Sequence, residues 1–348
     1  MVDTHTSMKK TFLSLFLFSS LAISSHIHGE EKYDTIGSLE SHDPRFNKLV
    51  LPSAKIEIIA KDFSWIEGPL WLPSEDCLVF SNIPPNKLWK WTEKDGAVDY
   101  LQKSGFLGKT PRPGHVGMDQ PGSNGLTLSP DGKLVLCQHG ERQVAMMKND
   151  LDDPAPVYET LTNRNHEGNK YNSPNDACYH KDGSLFFTDP PYGLPAGAED
   201  KTRETDYSGV YRLSKDGKVT LIDDSLERPN GIALSPDHKT LYVANSHGPR
   251  AIWMAYQLND DGTVKSKKVF YDVTSEVGKR KGMPDGLKVD DEGYIFATAP
   301  GGVWVFSPEA EHLGTIVTKE FASNLAFSPD KKTIYVTADM LLLRVKLR

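Results

Sequence analysis

Six short motifs along the chain each open on a residue with a side-chain oxygen donor: Glu67 in EGP, Asn124 in SNG, Asn175 in SPND, Asn230 in RPNG, Asp285 in MPDG and Asn324 in SNL. Two are carboxylates, four are amides, and none is His or Cys. If the fold brings them to one axis, Glu67 and Asp285 repel each other in a confined space unless a proton or cation intervenes. Hard oxygen donors of this kind favour calcium, with magnesium or manganese next and zinc last. A cation held there could polarise a carbonyl, and a carboxylate beside it could take a proton from water. Asp285 is the candidate catalytic base. A polar channel lined by strand-opening Asn and Asp residues is the bland reading of the same pattern.

The elements that must position these residues are repeats. Each motif begins a unit of about the same form: an apolar stretch, a turn such as SPDG, KDG or DEG, and a second apolar stretch. The units start 39 to 57 residues apart. Each reads as a β-hairpin, and two further short strands usually follow. Four antiparallel strands per repeat, six times over, predict an all-β, six-bladed β-propeller. The sixth unit has only three strands before the chain stops, whereas KIEIIA at residues 55–60 has no blade of its own. That segment is expected to complete the last blade and remove the open edges. In this geometry the long connections 104–123, 162–174, 190–208 and 272–284 gather at the face where each repeat begins. The ends of the second strands return to that face and supply an outer set of polar groups, among them His139, Asp189 and Asn245. These and Asn124 are candidates for substrate contact. His139 has the alternative role of fixing a neighbouring strand or loop, and Asp189 that of holding the TDPPYG loop.

The motifs EGP, SPND, RPNG and MPDG, in that order on six repeats, resemble the senescence-marker-protein/gluconolactonase/luciferin-regenerating family over roughly residues 55–348. The stretches GSNGLTLSPDGKLVLCQHGERQV and SPNDACYHKDGSLFFTDPPYG resemble its bacterial gluconolactonase-like branch. The resemblance implies one divalent ion, usually calcium, held by Glu67, Asn175, Asn230 and Asp285. It also implies hydrolysis of a sugar-derived lactone to the aldonic acid. Animal members carry an Arg two residues before the third-blade Asn, where Ser173 stands here, so substrate recognition is expected to differ around Ser173.

Composition narrows the rest. The chain has 348 residues, 47 acidic against 40 basic, and three Cys. A net charge of -7 without a basic stripe excludes non-specific nucleic-acid binding. Three Cys cannot form a disulfide framework, and Cys77, Cys137 and Cys178 sit in strand-like runs as inert thiols. Lys9 and Lys10 precede the apolar run 11–23, followed by small residues, so residues 1–29 read as a secretory signal. Residues 30–54 form an N-terminal extension and 55–348 the propeller. The protein is expected to be exported, periplasmic or secreted, with no permanent membrane span. A phosphate-binding glycine loop, HExxH, paired CxxC and GxSxG are all absent. Three functions fit: a metal-dependent lactonase, a metal-dependent phosphotriesterase-like hydrolase on the same scaffold, and a non-catalytic exported propeller binding carbohydrate or protein.

Overall fold

The computed structural model describes residues 1–2 and 32–348. Apart from Met1 and Val2, the segment read as a secretory signal lies outside the described residues. The unit Tyr33–Arg348 consists of six antiparallel sheets. Blade one contains Ile66–Leu72, Cys77–Asn82, Lys87–Thr92 and Gly96–Gln102. Blade two contains Ser123–Leu128, Leu134–Gln138, Gln143–Met147 and Tyr158–Thr162. Blade three contains Ala177–Tyr179, Leu185–Asp189, Gly209–Leu213 and Val219–Asp223. Blade four has the longest strands, Pro229–Leu234, Thr240–His247, Arg250–Leu258 and Val264–Asp272. Blade five runs Leu287–Val289, Ile295–Ala299, Gly302–Phe306 and His312–Val317, and blade six Ala322–Phe327, Thr333–Ala338 and Leu341–Lys346.

The predicted closure is present. Ile56–Ala60 pairs antiparallel with Leu341–Lys346, with Ile56 opposite Val345 and Ile58 opposite Leu343. The first strand of the propeller is thus the outer strand of the last blade. An addition not foreseen from the sequence lies upstream: Ser38–Ser41 pairs with His312–Val317 as a fifth strand on blade five. Between these strands, Ile36 N–H donates to Ile56 O at 3.0 Å, and Phe46 is buried in the core shared by blades five and six. The N-terminal extension therefore stitches two blades together from outside.

Alternation dictates where the core lies. The middle strands of a blade are covered on both faces by neighbouring blades, and Cys77–Asn82 (CLVFSN) is buried at every position, its polar end at the mouth included. Side chains from neighbouring blades interdigitate in the gaps. Trp253 of blade four meets Phe306 of blade five edge-on at 5.4 Å, and Trp71 of blade one stacks on Tyr335 of blade six at 5.5 Å. Cys77 and Cys137 are buried, Cys178 is half-buried, and all three are free thiols. No helix among the described residues is long and apolar enough to cross a membrane.

Around the axis, the residue following an inner-ring donor is often Gly, and it permits close approach, with Gly68 also in the left-handed region at φ +51°. A methyl group on Gly231 would stand 2.2 Å from Asp285 O, and one on Gly68 2.2 Å from Asn124 O. Lacking a side chain, each lets the backbone of the next blade press against it. Hydrogen bonds then join the blades in sequence. Ser81 Oγ donates to Asn124 O at 2.8 Å, Gly125 N–H to Asn175 O at 2.6 Å, and Thr188 Oγ to Asn230 O at 2.6 Å. Ser246 Oγ donates to Pro284 O, Gly286 N–H to Ser323 O at 2.7 Å, and Ser323 Oγ to Ile66 O at 2.8 Å. The circuit passes through all six blades and returns to its start.

Candidate active site

The inner strands begin at one mouth, and there Glu67, Asn124, Asn175, Asn230 and Asp285 line one cavity of about 220 Å³. All five are buried. Asn324 takes another direction. Its Nδ2 donates to Asp176 Oδ2 at 3.3 Å, and its Oδ1 accepts from Lys288 Nζ at 3.1 Å. Lys288 Nζ is also 3.6 Å from Asp176. In blade three Asp176 occupies the position that is Gly in blades one, two, four and five, so the channel gains a third carboxylate and, from Lys288, one compensating cation.

Electrostatics single out the two carboxylates predicted to meet. Burial, then repulsion from Asp176, pushes Glu67 up to about 8. Burial, then the charges of Glu67 and Asp176, raises Asp285 well above the usual carboxylate range. Asp285 Oδ1 and Asn124 Oδ1 are buried without a hydrogen-bond partner. A buried acceptor left empty costs about 1–3 kcal/mol. The orientation of Asn230 is fixed, because its Nδ2 donates to Ser246 Oγ at 3.0 Å. The amide nitrogen is thereby committed and its oxygen left for another partner. Two acids, amide oxygens and unpartnered acceptors suit a hard divalent cation. Among the described residues no cluster of three His, Cys, Asp or Glu has metal-ligand geometry.

Four further residues picked out from the sequence are not in the cavity lining. Asp189 accepts the N–H of Asn172 at 2.8 Å and of Ser173 at 2.7 Å, and burial pushes it up to about 7. Ser173 Oγ donates to Pro190 O at 2.5 Å and accepts from Gly193 N–H at 2.8 Å. Together they tie the SPND segment, which carries Asn175, to the TDPPYG loop. Asn245 does the same for RPNG: its Oδ1 accepts from Arg228 N–H at 2.9 Å, and its Nδ2 donates to Arg250 O at 2.8 Å. His139 is fully buried beneath Gly193, where a methyl group would meet its Cβ at 2.4 Å. Burial, helped by the Arg112 charge, pushes its imidazole down to about 3 and holds it neutral.

The walls come from residues the motif reading passed over: Trp65, Gln120, Tyr192, Arg228, Ser246, Met283 and Phe321. Trp65 and Phe321 form an aromatic corner, with ring centroids 5.5 Å apart. Across from them the Arg228 guanidinium lies over the Tyr192 ring at 5.8 Å. One spacing could have found three of these. Trp65, Arg228 and Met283 each stand two residues before an inner-ring donor, at the last point where the chain still faces the mouth. Gln120, Tyr192 and Met283 come from long mouth connections, as their concentration on that face predicted.

The profile of the SMP-30/gluconolactonase/LRE-like region matches residues 65–339. The chain belongs to that family. It is 37% identical over 317 residues to a gluconolactonase of Zymomonas mobilis, covering 90% of this chain and 86% of that protein. The solved gluconolactonase of Xanthomonas campestris superposes with a TM-score of 0.75 at 26% identity, covering 90% of this chain and 98% of the other. A calcium-binding regucalcin of Agrobacterium tumefaciens shares the fold, with a TM-score of 0.60 at 19% identity over 83% of this chain and 93% of the other. On this six-bladed scaffold Glu67, Asn175, Asn230 and Asp285 line one cavity.

Proposed function

We propose that this protein is a divalent-cation-dependent hydrolase that opens a sugar-derived lactone to its aldonic acid. The observation that carries the reading is the convergence of Glu67 and Asp285, both buried, with the unpartnered oxygens of Asp285 and Asn124 in a cavity sized for one sugar ring. The likeness to gluconolactonases over most of the chain supports the substrate class. Glu67, Asn175, Asn230 and Asp285 would hold the cation, and calcium suits these donors best. Bound there, it would supply positive charge to polarise the lactone carbonyl and acidify water.

The chain's own residues do the rest. Asp285 takes the proton from the attacking water as its oxygen bonds to the carbonyl carbon. The bond from that carbon to the ring oxygen then breaks, and the proton passes to the ring oxygen, which leaves as a hydroxyl. Glu67 stays a ligand. The Trp65–Phe321 corner covers the C–H face of the sugar, and Arg228, Gln120 and Asn124 meet its hydroxyls. Asp189, Ser173 and Asn245 position the loops that carry Asn175 and Asn230.

A lactone panel run with and without chelator, on wild type and Asp285→Asn, tests this. Chelator-sensitive turnover that falls about 10²–10⁴-fold in the variant supports it. No turnover above background, with the fold intact, would return the protein to the non-catalytic binding class. Organophosphate turnover exceeding lactone turnover would favour the phosphotriesterase-like reading. Export is part of the same proposal, tested by whether the mature protein isolated from the periplasm or medium begins near residue 30.

A further inference from the structure

We infer that the mouth holds a second subsite, for the outer ring of a disaccharide-derived lactone, formed where the connections 105–121 and 190–198 meet. The inference rests on the lactonase reading and specifies its substrate class. A second cavity of about 340 Å³ adjoins the first. It is lined by Val116, Met118, Leu194 and Pro195 and shares Gln120, Tyr192 and Arg228 with the first cavity. On the lactonase reading a single aldonolactone ring would occupy the inner space, and a substituent on that ring would pass the shared Tyr192 into the outer one.

The outer cavity is built. Arg112 grips Asp119 through its backbone N–H at 2.7 Å, Nε at 2.9 Å and Nη2 at 2.7 Å, with side-chain exposures of only 7% and 6%. Nε and Nη2 converge on Oδ1 while the backbone N–H takes Oδ2, and a buried charge-assisted pair so held fixes the loop in one shape. Val116 N–H donates to Pro195 O at 2.8 Å, joining the two connections directly. The walls are mixed in a way that matches a pyranose. Val116 and Met118 are 76% and 57% exposed, so they contribute little to folding, and they offer a surface to a sugar's C–H face. Arg228 makes no ion pair among the described residues, and its guanidinium borders both cavities, where it can donate to hydroxyls on either ring. A plain alkyl chain would cover Arg228 and Gln120 without offering them partners, a loss in a site that excludes water.

The test compares δ-gluconolactone, δ-cellobionolactone and δ-decalactone on the metal-loaded full chain. Wild type and the Val116→Asp/Met118→Asp double variant are assayed, and binding of gluconate and cellobionate is measured by calorimetry. The expected result is a preference of about tenfold or more for the disaccharide over the monosaccharide in kcat/KM and in binding of the acid. The double variant should lose that preference, with turnover of δ-gluconolactone within about twofold of wild type and an unchanged thermal midpoint. Equal handling of both sugars by wild type, a preference for the alkyl lactone, or a parallel loss on both sugars in the variant would overturn the subsite. If no lactone is hydrolysed, the lactonase reading fails, and the calorimetric comparison of the two acids alone decides the subsite.

Discussion

Asp285 presents a carboxylate oxygen to which nothing donates, beside Glu67, which is held up to about 8. Three carboxylates face the channel, and Lys288 offsets one of them through Asp176. Replacing Lys288 by Met leaves the field around Glu67 and Asp285 more negative. Calcium affinity, read by calorimetry, should therefore rise several-fold, while the thermal midpoint of the chelated protein falls. At the rim, Arg228→Ala should raise KM for a sugar lactone about tenfold and alter kcat less if, as proposed, the group binds hydroxyls that persist through the reaction. His139 gives a pH prediction of defined sign. Its folded pKa, about 3, lies below the ordinary His value, so only the unfolded chain takes up this proton as pH falls below about 6.5. Stability tied to His139 is complete above that pH and is lost on acidification towards 3. In His139→Gln the urea midpoint should fall less between pH 6.5 and 4 than in wild type. At this scale the sequence was legible where chemistry is written in fixed motifs. Glu67, Asn124, Asn175, Asn230 and Asp285 reach the same cavity. It was less legible for Asp189, Asn245 and His139, because strand ends returning to the mouth can point into the loops as readily as into the cavity, and for Ser173, whose hydroxyl is taken by the TDPPYG loop.

Strands and their junctions explain why those motifs take the form they do. The Gly after Asn230 is required by the carbonyl of Asp285, so Gly231→Ala forces two backbones apart. It should destabilise the protein by about 1–3 kcal/mol and weaken calcium binding together, since one blade presents Asn230 and the next Asp285. A glycine role confined to turning would leave calcium affinity unchanged. Closure is the second junction. Ile56 is buried opposite Val345, and Ile56→Ala should cost about 2–5 kcal/mol by urea denaturation. This strand could be anticipated by counting: the sixth repeat lacked an outer strand and KIEIIA lacked a sheet. Ser38–Ser41 could not. It is four residues long, half-exposed and outside any repeat, and its pairing is set by an edge that forms only in the folded sheet.

The ring as a whole turns local charge into global stability. Without a cation, Glu67 ionises at a higher pH in the folded chain than in the unfolded one. Its contribution is therefore present below about 4.5 and is lost as pH rises through about 8. Calcium reverses this penalty, so the rise in thermal midpoint on adding calcium should be larger at pH 8 than at pH 5. A calcium increment independent of pH would mean that the two acids are not the ligands. Adding calcium at about a hundred times its Kd stabilises by about 2.7 kcal/mol if the unfolded chain does not bind it. A last consequence follows from where the strand that opens the propeller meets the strand that closes it. Arg348 N–H donates to Leu49 O at 3.0 Å, and Leu341–Lys346 is the strand that receives Ile56–Ala60. During translation Ile56–Ala60 has no sheet partner until the ribosome has delivered Leu341–Lys346. A premature stop codon within Leu341–Lys346 would thus leave Ile56–Ala60 with an unpaired edge, inviting aggregation more than partial activity.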